Sequence, residues 1–297
     1  MVIEGRLPVE NVDGFTMNAE KAKIFGQSLN SSYVNATPFP HIAIDNFLPD
    51  EVAELALANF PAALVKDESK YEIGYYGHHK RQIPPANCDK STRDLFAFFN
   101  SAPMLKFLEG LTGINRLLPD PYYFGGGYHE TSRGGLLGIH ADFQLSQVLN
   151  MRRRVNIIIY LNKDWEEEWG GGLELWDKSM QFNVHTILPI FNRCAIFNTN
   201  HDAFHGHPNP LNCPETNTRK SIALYYYTAS ESILDEVPRH ANIYKTRPGD
   251  TKELRVKVMK ETIDTYLYDW LPPILARRIN PTRKAWKRLR KAILRRK

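Results

Sequence analysis

Cysteine is scarce in this chain: Cys88, Cys194 and Cys213 are the only three in 297 residues, an odd set with no close spacing. That argues against a disulfide framework or a cysteine-based metal cluster and predicts a reducing, cytoplasmic setting. No apolar run approaches the roughly 18 residues needed to cross a bilayer, so no membrane-spanning helix is predicted. The segment from Met1 to Gly14 lacks the basic stretch and apolar run of a secretory signal. No internal repeat is present. Acidic residues are missing from one place in particular. Between Ala276 and Lys297 there are eleven Arg and Lys and no Asp or Glu, so a net charge of +5 overall becomes −6 for residues 1–275. The basic character therefore belongs to a tail, and the body is mildly acidic.

What is present begins with 42% hydrophobic residues, enough for one large core rather than two equal domains. Residues 1–250 read as one domain with an N-terminal helical elaboration, and 251–297 as a helical, strongly basic extension. The first thirty residues are polar with weak periodicity. Pro38 to Asp45 reads as a short strand, and Asp50 as the cap of a helix running to about Phe60, with Val52, Leu55, Leu57 and Phe60 on its apolar side. Lys66 to Asp89 reads as a loop with one or two short strands. Helices are predicted over 91–99 and 103–111 and from Lys252 to about Trp270, and Pro281 opens a final one. Between them lies a succession of strands: 154–161, 173–176, 184–190, 193–198 and 221–228. A β core preceded by helices closes best as a barrel or a double-sheet jelly roll.

Within that core stands Gly138-Ile-His-Ala-Asp-Phe143, followed by Phe204-His-Gly-His-Pro208 and Thr218-Arg-Lys-Ser-Ile222. His140 and Asp142, at positions i and i+2 of extended backbone, project to one side. A second imidazole from His201, His205 or His207 would complete the two-histidine, one-carboxylate set of a non-haem iron(II) centre with open positions. Arg219 or Lys220 could hold the remote carboxylate of an organic acid on that metal. Alternation with Ser221 favours Arg219 as the inward-facing cation.

The ordered combination of His140-Ala-Asp142, Gly170-Gly-Gly-Leu-Glu-Leu175, His205 and Arg219-Lys-Ser221 resembles the Fe(II)- and 2-oxoglutarate-dependent dioxygenases, in particular their prolyl-hydroxylase-like branch. The resemblance spans about Tyr123 to Thr228. It implies a distorted double-stranded β-helix of the jelly-roll or cupin type, mainly β with flanking helices. It also implies iron(II) on His140, Asp142 and His205, with 2-oxoglutarate and O2 as cosubstrates and Arg219 and Ser221 on the distal carboxylate. The implied reaction hydroxylates an unactivated C–H bond and releases succinate and CO2. Asp142 stands where related halogenases carry a small residue, which favours hydroxylation. The interval from His205 to Arg219 is longer than the family's usual spacing, and Asn209 to Asn217 could form a lid or substrate wall.

Asn156, a lone amide in an apolar strand, is a further candidate cofactor contact. Tyr128, His129, Arg133, Trp176 and His207 are candidate substrate contacts. These residues suit a small polar metabolite or a sugar-containing substrate. The alternatives are a protein hydroxylase and a catalytically silent binding protein on the same fold. A nucleic-acid demethylase lacks a second basic patch in the body. Residues 276–297, with Trp286, Leu289 and Ile293 at helical spacing, could rest on an anionic membrane surface or pack against the domain.

Overall fold

The computed structural model describes residues 2–62, 70–73, 77–146, 149–229 and 242–270. Its principal elements, in chain order, are β1 (Val2–Glu4), α1 (Ala19–Val34), β2 (His41–Asp45), α2 (Asp50–Ala58), β3 (Lys70–Ile73), β4 (Gly77–Ile83), α3 (Lys90–Phe99), α4 (Ala102–Thr112), β5 (Gly127–Ala141), β6 (Met151–Tyr160), β7 (Leu173–Trp176), β8 (Asn183–Ile187), β9 (Cys194–Asn198), β10 (His205–His207), β11 (Arg219–Ala229), β12 (Ile243–Tyr244) and α5 (Lys252–Trp270). The strands follow one hydrogen-bonded path, β1-β2-β9-β6-β11-β5-β10-β7-β8, with β4 and β12 also pairing with β5. Strand β5 belongs to two sheets. Residues 127–131 pair with β11, whereas His140 and Leu137 pair with β10, and His140 and Ala141 with β12. The path curls there into the double-stranded β-helix expected from the sequence.

Alternation along the strands separates two faces. Val155, Ile157 and Ile159 of β6, with Ile222, Leu224 and Tyr226 of β11, pack against Phe96, Phe99, Phe107 and Leu111 of the helices. The opposite side of the same sheet offers Tyr160, Ala195 and Phe197, which meet Leu173, Leu175 and Ile187 of the smaller sheet. Each large apolar side chain so buried contributes about 1.5–3 kcal/mol. The helix-side core anchors the fold, and the interior between the sheets is left for polar groups.

Helix α1 was not evident from periodicity, yet its start is well specified. The Asn18 side chain accepts from the backbone N–H groups of Glu20 and Lys21. Helices α1 and α4 meet backbone to backbone at two glycines. A Cβ on Gly26 would lie 2.1 Å from the Phe107 carbonyl oxygen, and one on Gly110 would lie 2.4 Å from that of Lys23. Neither neighbour can yield without moving a helix. Gly26→Ala is expected to cost about 2–3 kcal/mol through overpacking, read as a lower denaturation midpoint with an unchanged denaturant slope.

Two local expectations are corrected. Asp50 does not cap α2: Pro49 precedes the helix without a side-chain cap, and Asp50 sits in its first turn, paired with Arg6. The buried stripe is Val52, Ala53 and Ala56, because the larger Leu55, Leu57 and Phe60 stay partly exposed at the sheet margin. Helix α5 has the expected bounds, and its Val258 packs on Tyr244 of β12. The basic segment 276–297 lies outside the described residues. Among the described residues no helix is long and apolar enough to cross a membrane.

Candidate functional site

The smaller sheet brings His140 and His205 side by side as cross-strand partners on β5 and β10. Asp142 follows at the end of β5. Their candidate ligand atoms all lie within 4.8 Å of one another, and all three residues are buried. His140 Nε2 is 3.4 Å from Asp142 Oδ1, and His205 Nε2 is 3.6 Å from Oδ2. Each imidazole is oriented in the same way: His140 Nδ1 donates to the Gly138 carbonyl at 2.8 Å, and His205 Nδ1 to the Ala203 carbonyl at 2.9 Å. A protonated Nδ1 leaves the Nε2 lone pair free, as a metal ligand requires. Burial pulls His205 down to about 4, despite the opposing charge of Asp142, so the ring is neutral near pH 7. Tyr244 stacks on His140, and Phe197 meets His205 edge-on, closing the sides of the pair.

Asp142 is held by two residues from β6. Asn156 Nδ2 donates to Asp142 Oδ2 at 2.7 Å, and Arg153 lies 3.1 Å from the same oxygen. Arg153 also donates to Asn156 Oδ1 from Nε and its terminal nitrogen, at 3.0 and 2.8 Å. Burial alone would raise the Asp142 carboxyl, but the Arg153 guanidinium and the two histidines outweigh it and hold the group well below the usual carboxylate range. With Oδ2 occupied by these donors, Oδ1 remains for a cation. Arg153 itself is clamped between Tyr225, 3.6 Å from its ring centre, and Phe143, at 4.8 Å.

Arg153 and Asn156, three apart, would face opposite ways on a regular strand. The register of β6 against β11 shifts between Arg153 and Val155, pairing Arg153 with Tyr227 and Asn156 with Tyr225. This bulge turns both side chains to the interior. Sequence alone does not single out Arg153, since a bulge carries no pattern at single-residue resolution.

Arg219 opens β11 from the same interior face and is buried. Its Nε donates to the Gly171 carbonyl at 2.8 Å, and a terminal nitrogen lies 3.4 Å from the Tyr160 hydroxyl. No carboxylate of the described residues pairs with it, and burial lowers its affinity for the proton. Gly171 has φ +75°, and a Cβ there would lie 3.0 Å from Arg219 Cδ, so the Gly170 to Gly172 run lets the backbone come up against the guanidinium. Thr131, the cross-strand neighbour of Arg219 on β5, is buried with its hydroxyl unpartnered. Ser221 is buried two residues along the same face, opposite His129. Lys220 points the other way, toward Glu130 at 3.8 Å.

The remaining candidates divide. His129 is interior and bonded to the Gly125 carbonyl, and His207 is interior with both ring nitrogens unpartnered. Tyr128 instead enters the helix-side core, its hydroxyl donating to the Ala56 carbonyl. Trp176 packs with Ile139, Ala141 and Phe204, on the far side of β5 from His140. Both follow from strand alternation, and neither reaches the interior. Arg133 is exposed and donates to the carbonyls of Asn212 and Cys213, tying the long interval before Arg219 to β5. That interval is packed rather than loose: Leu211 and Cys213 are buried beside Trp165 and Trp169. Lys80, Tyr160 and Tyr225 are interior groups that had not been singled out.

The donor set fits iron(II): two imidazoles that present Nε2 while Nδ1 is held by a backbone carbonyl, and one ionised carboxylate oxygen. The buried, anion-free Arg219 fits a carboxylate beyond it. Residues 126–227 match the model of the 2OG-Fe(II) oxygenase superfamily. No curated protein matches the chain. Among solved structures, a Pseudomonas putida prolyl-4-hydroxylase is similar at 15% identity and a TM-score of 0.44, over 69% of this chain and 99% of that one. A Trichoplax adhaerens prolyl hydroxylase in complex with a hypoxia inducible factor peptide fragment is similar at 17% identity and 0.48, over 70% and 91%. HygX from Streptomyces hygroscopicus, with nickel, 2-oxoglutarate and hygromycin B bound, is similar at 11% identity and 0.42, over 63% and 82%. These are distant likenesses. The family match falls on the segment that carries the buried His-Asp-His cluster and Arg219, so the part of the chain that resembles the 2OG-Fe(II) oxygenase superfamily is the part that holds the candidate site.

Proposed function

We propose that His140, Asp142 and His205 hold the iron, that Arg219 and Ser221 receive the distal carboxylate of 2-oxoglutarate, and that the protein hydroxylates a small polar or sugar-containing metabolite. The observation that carries the cosubstrate assignment is Arg219: a buried guanidinium with no carboxylate among the described residues needs an anion from outside. Iron(II) with 2-oxoglutarate supplies the oxidising power, coupling reduction of O2 and release of CO2 and succinate to conversion of a substrate C–H to C–OH.

The chain's own residues do the rest. His140 and His205 present Nε2 because backbone carbonyls hold Nδ1. Asn156 and Arg153 fix the Asp142 carboxylate, so Asn156 acts on the metal end of the site through Asp142. Tyr160 and the Gly171 carbonyl hold Arg219 in place, leaving its remaining donors for a carboxylate. Thr131 adds an unpartnered hydroxyl beside it. Residues 1–250 form the catalytic unit in this reading, and 251–297 a basic extension whose first turns rest on β12.

Oxygen-free titration of the purified protein with iron(II) and then 2-oxoglutarate is expected to give one equivalent of each bound, with iron uptake lost in His205→Ala. Wild-type protein that binds neither would overturn the assignment. Product masses after aerobic turnover then decide the substrate: oxidation confined to peptides would replace the metabolite reading.

A further inference from the structure

Lys80 stands in register with the cosubstrate end of the site. It pairs with Thr131 on β5, and Thr131 pairs in turn with Arg219 on β11. The three share one face, with β4 and β11 separated by one strand, or roughly 10 Å. The next row, Gln82, His129 and Ser221, faces the same interior. The intervening residues, Arg81, Glu130 and Lys220, face the opposite side of the sheet, where Glu130 pairs with the buried Arg81 at 2.7 Å. The acidic group of this region is therefore spent on that opposite face.

Lys80 is 9% exposed, and its ammonium has no hydrogen bond or ion pair among the described residues. Burial pulls it down to about 8, and the charge of Arg219 works in the same direction against Asp142. His207, which feels the charges of both Lys80 and Arg219, is buried with both ring nitrogens unpartnered. The charges can be matched one by one. Asp142 has Arg153, and the two carboxylates of 2-oxoglutarate have the metal and Arg219. Among the described residues Lys80 is then left without a counter-charge in a buried site, an arrangement that an incoming anion relieves.

We propose that Lys80 binds an anionic group of the substrate, a carboxylate or a phosphate, and so selects acidic metabolites. The inference rests on the iron and 2-oxoglutarate reading of the site given above.

Iron(II)-loaded, 2-oxoglutarate-saturated protein, kept free of oxygen, is titrated by calorimetry with acetate, inorganic phosphate and neutral acetamide. At least one anion is expected to bind and acetamide not to, and the tighter anion identifies the group. Lys80→Met should weaken that binding about tenfold or more, with 2-oxoglutarate affinity altered less than about threefold, and Lys80→Arg should restore it. Anion binding that is absent in the wild type or unchanged in Lys80→Met overturns the proposal. So does a loss of 2-oxoglutarate affinity in Lys80→Met equal to that of an Arg219 variant, which would make Lys80 a second cosubstrate anchor. Wild-type protein that takes up no iron or 2-oxoglutarate sinks the underlying site reading instead, so the two failures are distinguishable.

Discussion

Arg219→Ala is expected to weaken 2-oxoglutarate binding about 100-fold or more while iron uptake stays at one equivalent. Truncating one partner of a buried, hydrogen-bonded charge pair costs roughly 2–5 kcal/mol, and each 1.4 kcal/mol is a factor of ten in affinity. Arg219 belongs to the upper part of that range because Gly171 and Tyr160 already hold it in place, so little side-chain freedom is lost on binding. The separation of the two readouts follows from the architecture. Arg219 starts β11 and pairs with Thr131 of β5, whereas the His-Asp-His cluster stands at the other end of β5 and on β10. Calorimetric titration of 2-oxoglutarate into iron-loaded variant protein checks the first half, and metal analysis the second. Unchanged cosubstrate affinity would move the anchor to another cation and remove the main support for the proposed site.

The second large effect is expected at Arg153, which acts on the proposed iron only through Asp142. Arg153→Met leaves Asp142 in the interior with the Asn156 amide but without its guanidinium. Breaking a buried pair from one side costs about 3–5 kcal/mol, because the remaining charge is uncompensated. The metal-free protein should therefore lose stability by that order. Iron should bind about 10–100-fold more weakly, as for other losses of a ligand-orienting partner. By linkage the variant should therefore gain less stability on metal loading than the wild type does, so its loss is larger in the loaded state than in the metal-free one. Thermal unfolding with and without iron(II) measures both terms. Equal losses in the two states would show that Arg153 matters for packing between Phe143 and Tyr225 and not for the carboxylate.

The ligand spacing was legible in the sequence because its chemistry is local. His140 and Asp142 are two apart on one strand, and strand alternation alone places Arg219 and Ser221 together and turns Lys220 away. The β succession and the bounds of α5 were legible for the same reason, since periodicity and proline breaks act over a few residues. What escaped depends on contacts between distant segments. Arg153 reaches the interior only through a bulge in β6. Lys80 reaches it because the strand after a polar, tyrosine-rich loop returns to pair with β5. Helix α1 hid because its buried positions include Ala22 and Gly26, small residues chosen for close approach to α4, which register weakly as an apolar stripe. Tyr128 and Trp176 were read toward the site from their nearness in sequence, whereas alternation sends them to the opposite side.

Strand β5 carries Thr131 near one end and His140 near the other, and it is hydrogen-bonded into both sheets. The neighbourhoods of the proposed metal and of the proposed distal carboxylate are thus not separate devices brought together by folding but two stations on a single length of backbone. Fraying that releases one disturbs the other, and a ligand that quiets either end lowers the entropy the second ligand must remove. Order of addition, on this view, is a property of one strand's motion as much as of the chemistry at its ends.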